Sequence, residues 1–230
     1  MVCTRHPMAA IHRHYCPACL LEVALTPAEA VGSVSMESLR VQVPLGRSAS
    51  ASVFLVRTEG RDPRLLRLKV WHTPAPAGFL ERFQNLQARL AAWPQDAILS
   101  PLAASVDAAG CPLVVTEFRQ GIPILDRVRS GRLDTDAALA SLRILVALTM
   151  AAHVRGLAHG SVVAGNVLVQ PASGAPYLLD FGFAPLFGGS DSVGRSDSDI
   201  PFAAADVAGF ASLARTLREL PASPGATPGL

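Results

Sequence analysis

Charged residues are scarce in this chain of 230 residues: they make up 17% of it, and 20 basic side chains nearly balance 18 acidic ones. The resulting formal charge of +2 excludes a global attraction to nucleic acid or to an acidic membrane surface. The strongest apolar run, residues 144–154, is far shorter than the ~20 residues that cross a bilayer. The first residues also lack the apolar core of a signal peptide. The sequence therefore predicts a cytoplasmic globular protein that binds neither membrane nor nucleic acid.

Cysteine is rare as well, with four residues in the chain, yet three of them lie among the first nineteen residues. They form a Cys-x-x-His pair and a Cys-x-x-Cys pair separated by nine residues, a spacing typical of a tetrahedral zinc site. The alternatives are a disulfide with loose histidines or a disordered tail, although intracellular proteins rarely keep disulfides. The predicted ligands of a structural zinc ion are Cys3, His6, Cys16 and Cys19, with His12 and His14 as rival fourth ligands.

Short apolar runs broken by Gly, Ser, Asp and Pro follow residue 41 and predict consecutive antiparallel strands. A helix is predicted over residues 79–92, where apolar residues recur every three or four positions. A long, nearly uncharged helix is predicted over residues 134–156, and we expect it to be buried on most of its circumference. A last helix is predicted over residues 204–220.

A turn, a lone lysine and the end of a strand stand out in the strand-rich part of the sequence. Gly46 opens a short loop between two predicted strands, and Val53 follows that loop. Lys69 lies on an apolar strand, where a lone lysine is unusual; its alternative role is an edge lysine whose amine reaches solvent. Glu117 and Phe118 end a buried strand before a turn. Each of these signals is weak alone.

The strongest pattern follows the long helix. His159 and Ser161 precede Asn166, and Asp180 opens an Asp-Phe-Gly triplet after a predicted hairpin. This spacing matches that of the catalytic loop and the metal-binding segment of protein kinases. From about residue 45 to residue 220, the chain therefore resembles the eukaryotic-type protein kinases that bacteria also contain.

The resemblance implies an α+β, two-lobed protein kinase-like fold, with a small antiparallel β lobe and a truncated helical lobe, preceded by the short zinc knuckle. The predicted domains are a zinc-knuckle-like segment (1–22), a linker (23–40), a kinase-like N-lobe (41–118), a truncated kinase-like C-lobe (119–220) and a disordered tail (221–230).

By the same resemblance, ATP and Mg²⁺ are candidate cofactors. In this family an asparagine and an aspartate hold magnesium on the triphosphate, and Asn166 and Asp180 occupy those positions. The implied cofactor-binding residues are Gly46, Val53, Lys69, Glu117, Phe118, Asn166, Leu168 and Asp180.

The chain departs from the family where chemistry is done. Ser161 replaces the aspartate that accepts the proton of the substrate hydroxyl, and a serine is no base near neutral pH. Val163 replaces the lysine that balances the charge of the transferring phosphoryl group, and Gly160 replaces an arginine. Arg67 stands where the family has a small residue above the adenine.

These losses favour a pseudokinase, a kinase homologue without activity that acts as a regulatory or protein-binding module. The alternative is a weak or atypical ATP-dependent protein kinase or nucleotidyl transferase that uses Lys69, Asn166 and Asp180, because phosphoryl transfer depends mainly on positioning and electrostatics. The composition suits a high-GC bacterial genome. We expect a protein partner, whose identity the sequence does not reveal.

Overall fold

The computed structural model describes residues 29–188 and 200–220 of the chain. The predicted zinc ligands and the predicted tail lie outside these described residues.

Within the described ranges the chain divides into two compact units. The first unit runs to Ala92 and also includes Ser100–Phe118. The second unit consists of Trp93–Leu99 and the residues from Arg119 onward.

A six-stranded antiparallel sheet forms the first unit, in the strand order β1-β5-β6-β4-β3-β2. Side chains of a strand alternate between its two faces, so Leu66 and Leu68 enter the apolar core while Arg67 and Lys69 lie on the opposite face. Most of these strands are those that the sequence predicts. They are β1 (Glu29–Gly32), β2 (Leu39–Arg47), β3 (Ala51–Thr58), β4 (Leu65–Trp71), β5 (Pro101–Val106) and β6 (Pro112–Glu117).

The predicted linker over residues 23–40, which the sequence also allows to be a short strand-forming lead-in, contains regular structure in its second half. Residues Glu29–Gly32 form β1, which pairs with β5 at the edge of the sheet. Met36 and Leu39 follow it and are 1% and 0% exposed in the core of this unit. The sequence conceals this strand because it has four residues and pairs along one side only, so its formation depends on β5 rather than on its own propensity.

The helix α1 (Phe79–Ala91) confirms the amphipathic pattern in this part of the sequence. It begins after Gly78, whose φ of 72° is left-handed. Phe83, Leu86 and Leu90 recur at three- and four-residue spacing and are buried.

Two long helices dominate the second unit, α3 (Thr135–His153) and α5 (Ile200–Glu219). The side chain of Asp134 caps α3 by accepting a hydrogen bond of 2.7 Å from the backbone N–H of Ala137. The smaller elements of this unit are β7 (Ile122–Pro123), α2 (Ile124–Arg129), β8 (Val167–Val169), β9 (Pro176–Leu178) and α4 (Phe183–Leu186). Strands β7, β8 and β9 form a small sheet, which includes the predicted hairpin.

The expectation that α3 is buried on most of its circumference is wrong. Its buried residues, such as Leu142, Leu145 and Ala152, form one stripe, and about a third of its apolar stretch is buried. Ile144 and Met150 are 57% and 58% exposed. By length and composition alone α3 could cross a membrane. Its buried stripe, however, packs within the second unit, where α5 is its neighbour.

Candidate functional site

The loop between α3 and β8 is held by a carboxylate from α5. Asp206 is 0% exposed. It accepts hydrogen bonds from the backbone N–H of His159 at 2.9 Å and of Gly160 at 2.7 Å. His153, near the end of α3, donates to the same carboxylate from Nε2 at 2.9 Å. Asp206 therefore fixes the backbone of the loop at the point where the sequence motif begins.

The rest of the loop is braced by Asn166. Its side-chain Nδ2 donates to the backbone oxygen of Ser161 at 3.0 Å, and its own backbone oxygen accepts from the N–H of Leu179 at 2.9 Å. These bonds tie the loop to the segment that carries Asp180. The side chain of Ser161 is exposed. The loop and the segment that follows it thus form one hydrogen-bonded framework.

Gly160 occupies a position that no side chain enters easily. Its φ is +80°, and a Cβ built on it would lie 2.8 Å from Ala184 and 2.8 Å from Pro185. The backbone conformation and the packing of α4 both exclude the arginine that protein kinases have here.

Asp180 adopts a backbone conformation that non-glycine residues avoid, with φ of 60°. It is 5% exposed, and its backbone oxygen accepts from the N–H of Phe183 at 3.1 Å. Strained backbone of this kind is common where a side chain is positioned for binding. The next residue, Phe181, packs against His159 with ring centroids 5.5 Å apart and an interplanar angle of 68°.

The chemistry of Asn166 and Asp180 suits magnesium. An amide oxygen and a carboxylate are hard oxygen ligands, and the bond from Nδ2 of Asn166 leaves its Oδ1 free of hydrogen bonds among the described residues. Within residues 29–188 and 200–220 no group of three or more His, Cys, Asp or Glu side chains could hold a metal ion. The zinc site at Cys3, His6, Cys16 and Cys19 remains a prediction outside those ranges.

His159 is 0% exposed, and this burial lowers its pKa and favours the neutral imidazole. The backbone N–H of Ser161 donates to its Nδ1 at 3.2 Å, so the proton is on Nε2, which has no hydrogen-bond partner among the described residues. Burial lowers the pKa of His159 below its usual 6.5, although the carboxylates of Asp206 and Asp180 act in the opposite direction.

We expect His159 to make the protein less stable in mild acid. Below pH 6.5 the unfolded chain binds a proton at this histidine that the folded chain does not bind, so stability falls by up to about 1.4 kcal/mol per pH unit until the lower folded pKa is reached. Glutamine does not titrate in this range, and its side-chain oxygen can still accept a hydrogen bond from the N–H of Ser161. His159→Gln should therefore reduce the loss of unfolding free energy between pH 7.5 and pH 5.5 in urea titrations. Equal losses in both proteins would contradict this assignment.

In the first unit, the side chain of Lys69 lies over an aromatic ring. Its Nζ is 4.8 Å from the ring centroid of Trp71, two residues further along β4. Arg67, on the same face of the sheet, is 8% exposed and stands in register with Thr116 of β6. The acidic residue in the first turn of α1 is Glu81. Its side chain is exposed and lines a surface depression beside the turn that contains Gly110.

The hairpin after Gly46 is closed by its own side chains. The Oγ of Ser48 accepts from the backbone N–H groups of Ser50 at 3.3 Å and Ala51 at 3.1 Å. His72 bonds to the oxygen of Ala49 at 3.1 Å and to the Oγ of Ser52 at 2.9 Å. The N–H groups of Ser48, Ser50 and Ala51 therefore have partners within the hairpin. Sequence reasoning missed His72, because it meets the hairpin only through the pairing of β3 with β4.

The remaining predicted residues are distributed over both units. Val53 is in register with Lys69 on the neighbouring strand. Glu117 ends β6 and pairs with Arg64 at 3.5 Å, with both side chains about half exposed. Phe118 follows β6 as the last residue of the first unit. In the second unit Leu168 is buried against Leu99 and Tyr177.

Comparison with known proteins gives a structural match only. No protein-family model matches the chain, and no curated protein sequence matches it. A match among solved structures is the crystal structure of Rad53 1-466 in complex with AMP-PNP, with a TM-score of 0.61 and 17% identity over 78% of this chain and 48% of that chain. This chain thus spans about half the length of the Rad53 chain. Rad53 is a protein kinase, and at this identity the similarity concerns the fold. The chain has a protein kinase-like fold.

Proposed function

We propose that this protein is a catalytically impaired protein kinase homologue that acts as a regulatory, protein-binding module. The observation that carries the proposal is the loop between α3 and β8. Its backbone is held by Asp206 and braced by Asn166, while the position of the base carries the exposed side chain of Ser161. A loop that keeps its hydrogen-bonded backbone but carries no base fits a protein that acts by binding other proteins through its surface.

The charges around the loop support the same conclusion. Val163 is 53% exposed at the position where a kinase has a lysine for the transferring phosphoryl group. A valine supplies no compensation for the charge that develops there in the transition state. Since phosphoryl transfer depends more on such electrostatics than on a base, the loss of the lysine adds to the loss of the aspartate.

The first unit supports weak nucleotide binding at most. The turn of the hairpin after Gly46 donates its N–H groups to Ser48, so these groups are already occupied. Lys69 lies over the ring of Trp71, and the long side chain of Arg67 takes up space on the same face of the sheet. ATP and Mg²⁺ therefore remain candidate ligands rather than expected substrates.

We expect the purified chain to transfer no phosphate. It would be incubated with ATP labelled at the α- or the γ-phosphate, in the presence of Mg²⁺ or Mn²⁺, with itself and a general basic protein as acceptors. Incorporation should not exceed that of Asp180→Ala, because neither base nor counter-charge is present. The measurement is the label retained on protein after electrophoresis.

Asp180→Ala is the matched control, since it removes a carboxylate that any metal-dependent transfer requires. Label from γ-phosphate that depends on Asp180 would contradict the proposal in favour of a weak protein kinase. Label from α-phosphate with the same dependence would favour a nucleotidyl transferase.

A further inference from the structure

Helices α3 and α5 leave an apolar groove between them on the second unit. The groove has a volume of about 620 Å³ and is lined by both helices, from Leu139 to His153 and from Asp206 to Arg218. The helices meet at the hydrogen bond between His153 and Asp206. At 1.5 Å per residue, Arg143 lies about 15 Å from that contact along α3 and Arg218 about 18 Å from it along α5.

The outer surface of the two helices is unusually poor in charge. Between residues 202 and 214 of α5, the single charged side chain is that of Asp206, which is buried. Val207 on α5 and Ile144 and Met150 on α3 are between 57% and 59% exposed. A helix face that meets water normally carries charges, and a contiguous exposed apolar patch marks an interaction surface.

The charged side chains that line the groove are distributed unevenly. At one end of the groove, Asp206 and His153 are hydrogen-bonded to each other. Arg143 and Arg218 lie toward the other end, where neither guanidinium has a hydrogen bond or an ion pair with any residue in the described part of the chain. Asp136 and Glu219 belong to the same ends of the helices but do not line the groove. The groove is therefore apolar along its length and cationic at one end.

We propose that this groove is the docking site for an amphipathic helix of a partner protein, with carboxylates at one end of that helix. The proposal rests on the proposed function as a protein-binding module and names the chemistry of the partner. The 15 residues from Leu139 to His153 span about 20 Å at 1.5 Å per residue, which corresponds to some four turns. A third helix fits between two neighbouring helices by placing its apolar ridge in their groove.

The breadth of the apolar surface favours a helix over other occupants. Ile144 does not line the groove, but it is exposed and lies one helical turn from Ala147, which does, so exposed apolar surface continues beyond the groove itself. The alanines at positions 147 and 211 line the groove, and small residues allow the backbone of a helix to approach closely. A membrane surface is flat, whereas this site is concave and has its cations at one end only.

The test is a selection from a displayed library of helical peptides against the full chain, with Val207→Asp as the counter-selection bait. We expect the selected peptides to carry apolar residues at i, i+3, i+4 and i+7 and acidic residues at one end. Their affinity, measured by fluorescence anisotropy, should fall at least tenfold for the double variant Arg143→Glu, Arg218→Glu. A peptide with lysines in place of its acidic residues should recover binding to that variant.

Matched controls separate the groove from general surface effects. Val43→Asp changes an exposed valine of the first unit, and the pair Arg57→Glu, Arg132→Glu changes exposed arginines that do not line the groove. All the substituted side chains are exposed in the wild type, so the melting temperature of each variant should equal that of the wild type. Binding that is lost equally in the controls would overturn the proposal.

Other occupants give distinct results, each of which overturns the proposal. Failure to enrich any peptide over the Val207→Asp bait means that no such helix binds. A concentration-dependent dimer that Val207→Asp dissolves would identify a second copy of the chain. Cosedimentation with phosphatidylserine vesicles that is lost in the arginine variants would identify a membrane. The labelling experiment is independent, because phosphate transfer would overturn the proposed function while leaving peptide binding intact.

Discussion

Replacing Asp206 by alanine is expected to lower the free energy of unfolding by about 3–5 kcal/mol. The carboxylate is fully buried and accepts hydrogen bonds from the backbone of His159 and Gly160 and from the ring of His153. Alanine would leave the buried N–H of His159 and the part-buried donors of Gly160 and His153 without this partner, and each buried unpaired group costs about 1–3 kcal/mol. Urea denaturation followed by circular dichroism measures the difference.

The control for this experiment is Asp62→Ala, which removes an exposed carboxylate from the turn between β3 and β4. It should change stability by less than about 0.5 kcal/mol. Hydrogen exchange supplies a second measurement that does not depend on global unfolding: the amides of His159 and Gly160 should exchange faster in the Asp206 variant. A loss below 1 kcal/mol with unchanged exchange would show that Asp206 does not hold the loop.

The second large effect is expected at Gly209, where alanine should destabilise the protein by about 1–3 kcal/mol. A Cβ at this position of α5 would lie 2.4 Å from the backbone oxygen of Val162 and 2.8 Å from its Cβ. Intrinsic propensity predicts the opposite sign, because alanine in a helix is favoured over glycine by up to about 1 kcal/mol. The sign of the measured change in unfolding free energy therefore tests the close approach of Val162 to Gly209 of α5.

Gly165→Ala is the matched control, since a Cβ there meets no atom within 4 Å. It belongs to the same loop and should leave the midpoint of urea unfolding nearly unchanged. If Gly209→Ala were as stable as Gly165→Ala, the packing of Val162 against α5 would be refuted.

Local pattern was sufficient for most elements of this fold. Strands β3 and β4 alternate apolar residues with others, and α1 repeats them at helical spacing, so each follows from a few neighbouring residues. The kinase-like fold was predicted from the spacing of His159, Asn166 and Asp180. That spacing corresponds to a loop and a hairpin of the lengths found in protein kinases. The serine at position 161, where the resemblance to protein kinases leads one to expect an aspartate, was equally visible in the sequence.

The contacts that hold the site needed the structure. The sequence placed Asp206 near the start of the last helix, whereas α5 begins at Ile200 and Asp206 reaches back 47 residues to His159. The bond of His72 to Ser52 and the exclusion of a side chain at Gly160 also join residues that are distant in the chain or depend on neighbouring packing.

By itself, then, the sequence determined which segments are strands or helices and which chemical groups the loop lacks, since both depend on residue type and local order. Only the tertiary structure decided what those segments bury. The composition of α3 predicts burial on most sides, yet its neighbours cover one stripe and leave Met150 exposed. Burial depends on the elements that pack against a face, and composition does not specify them.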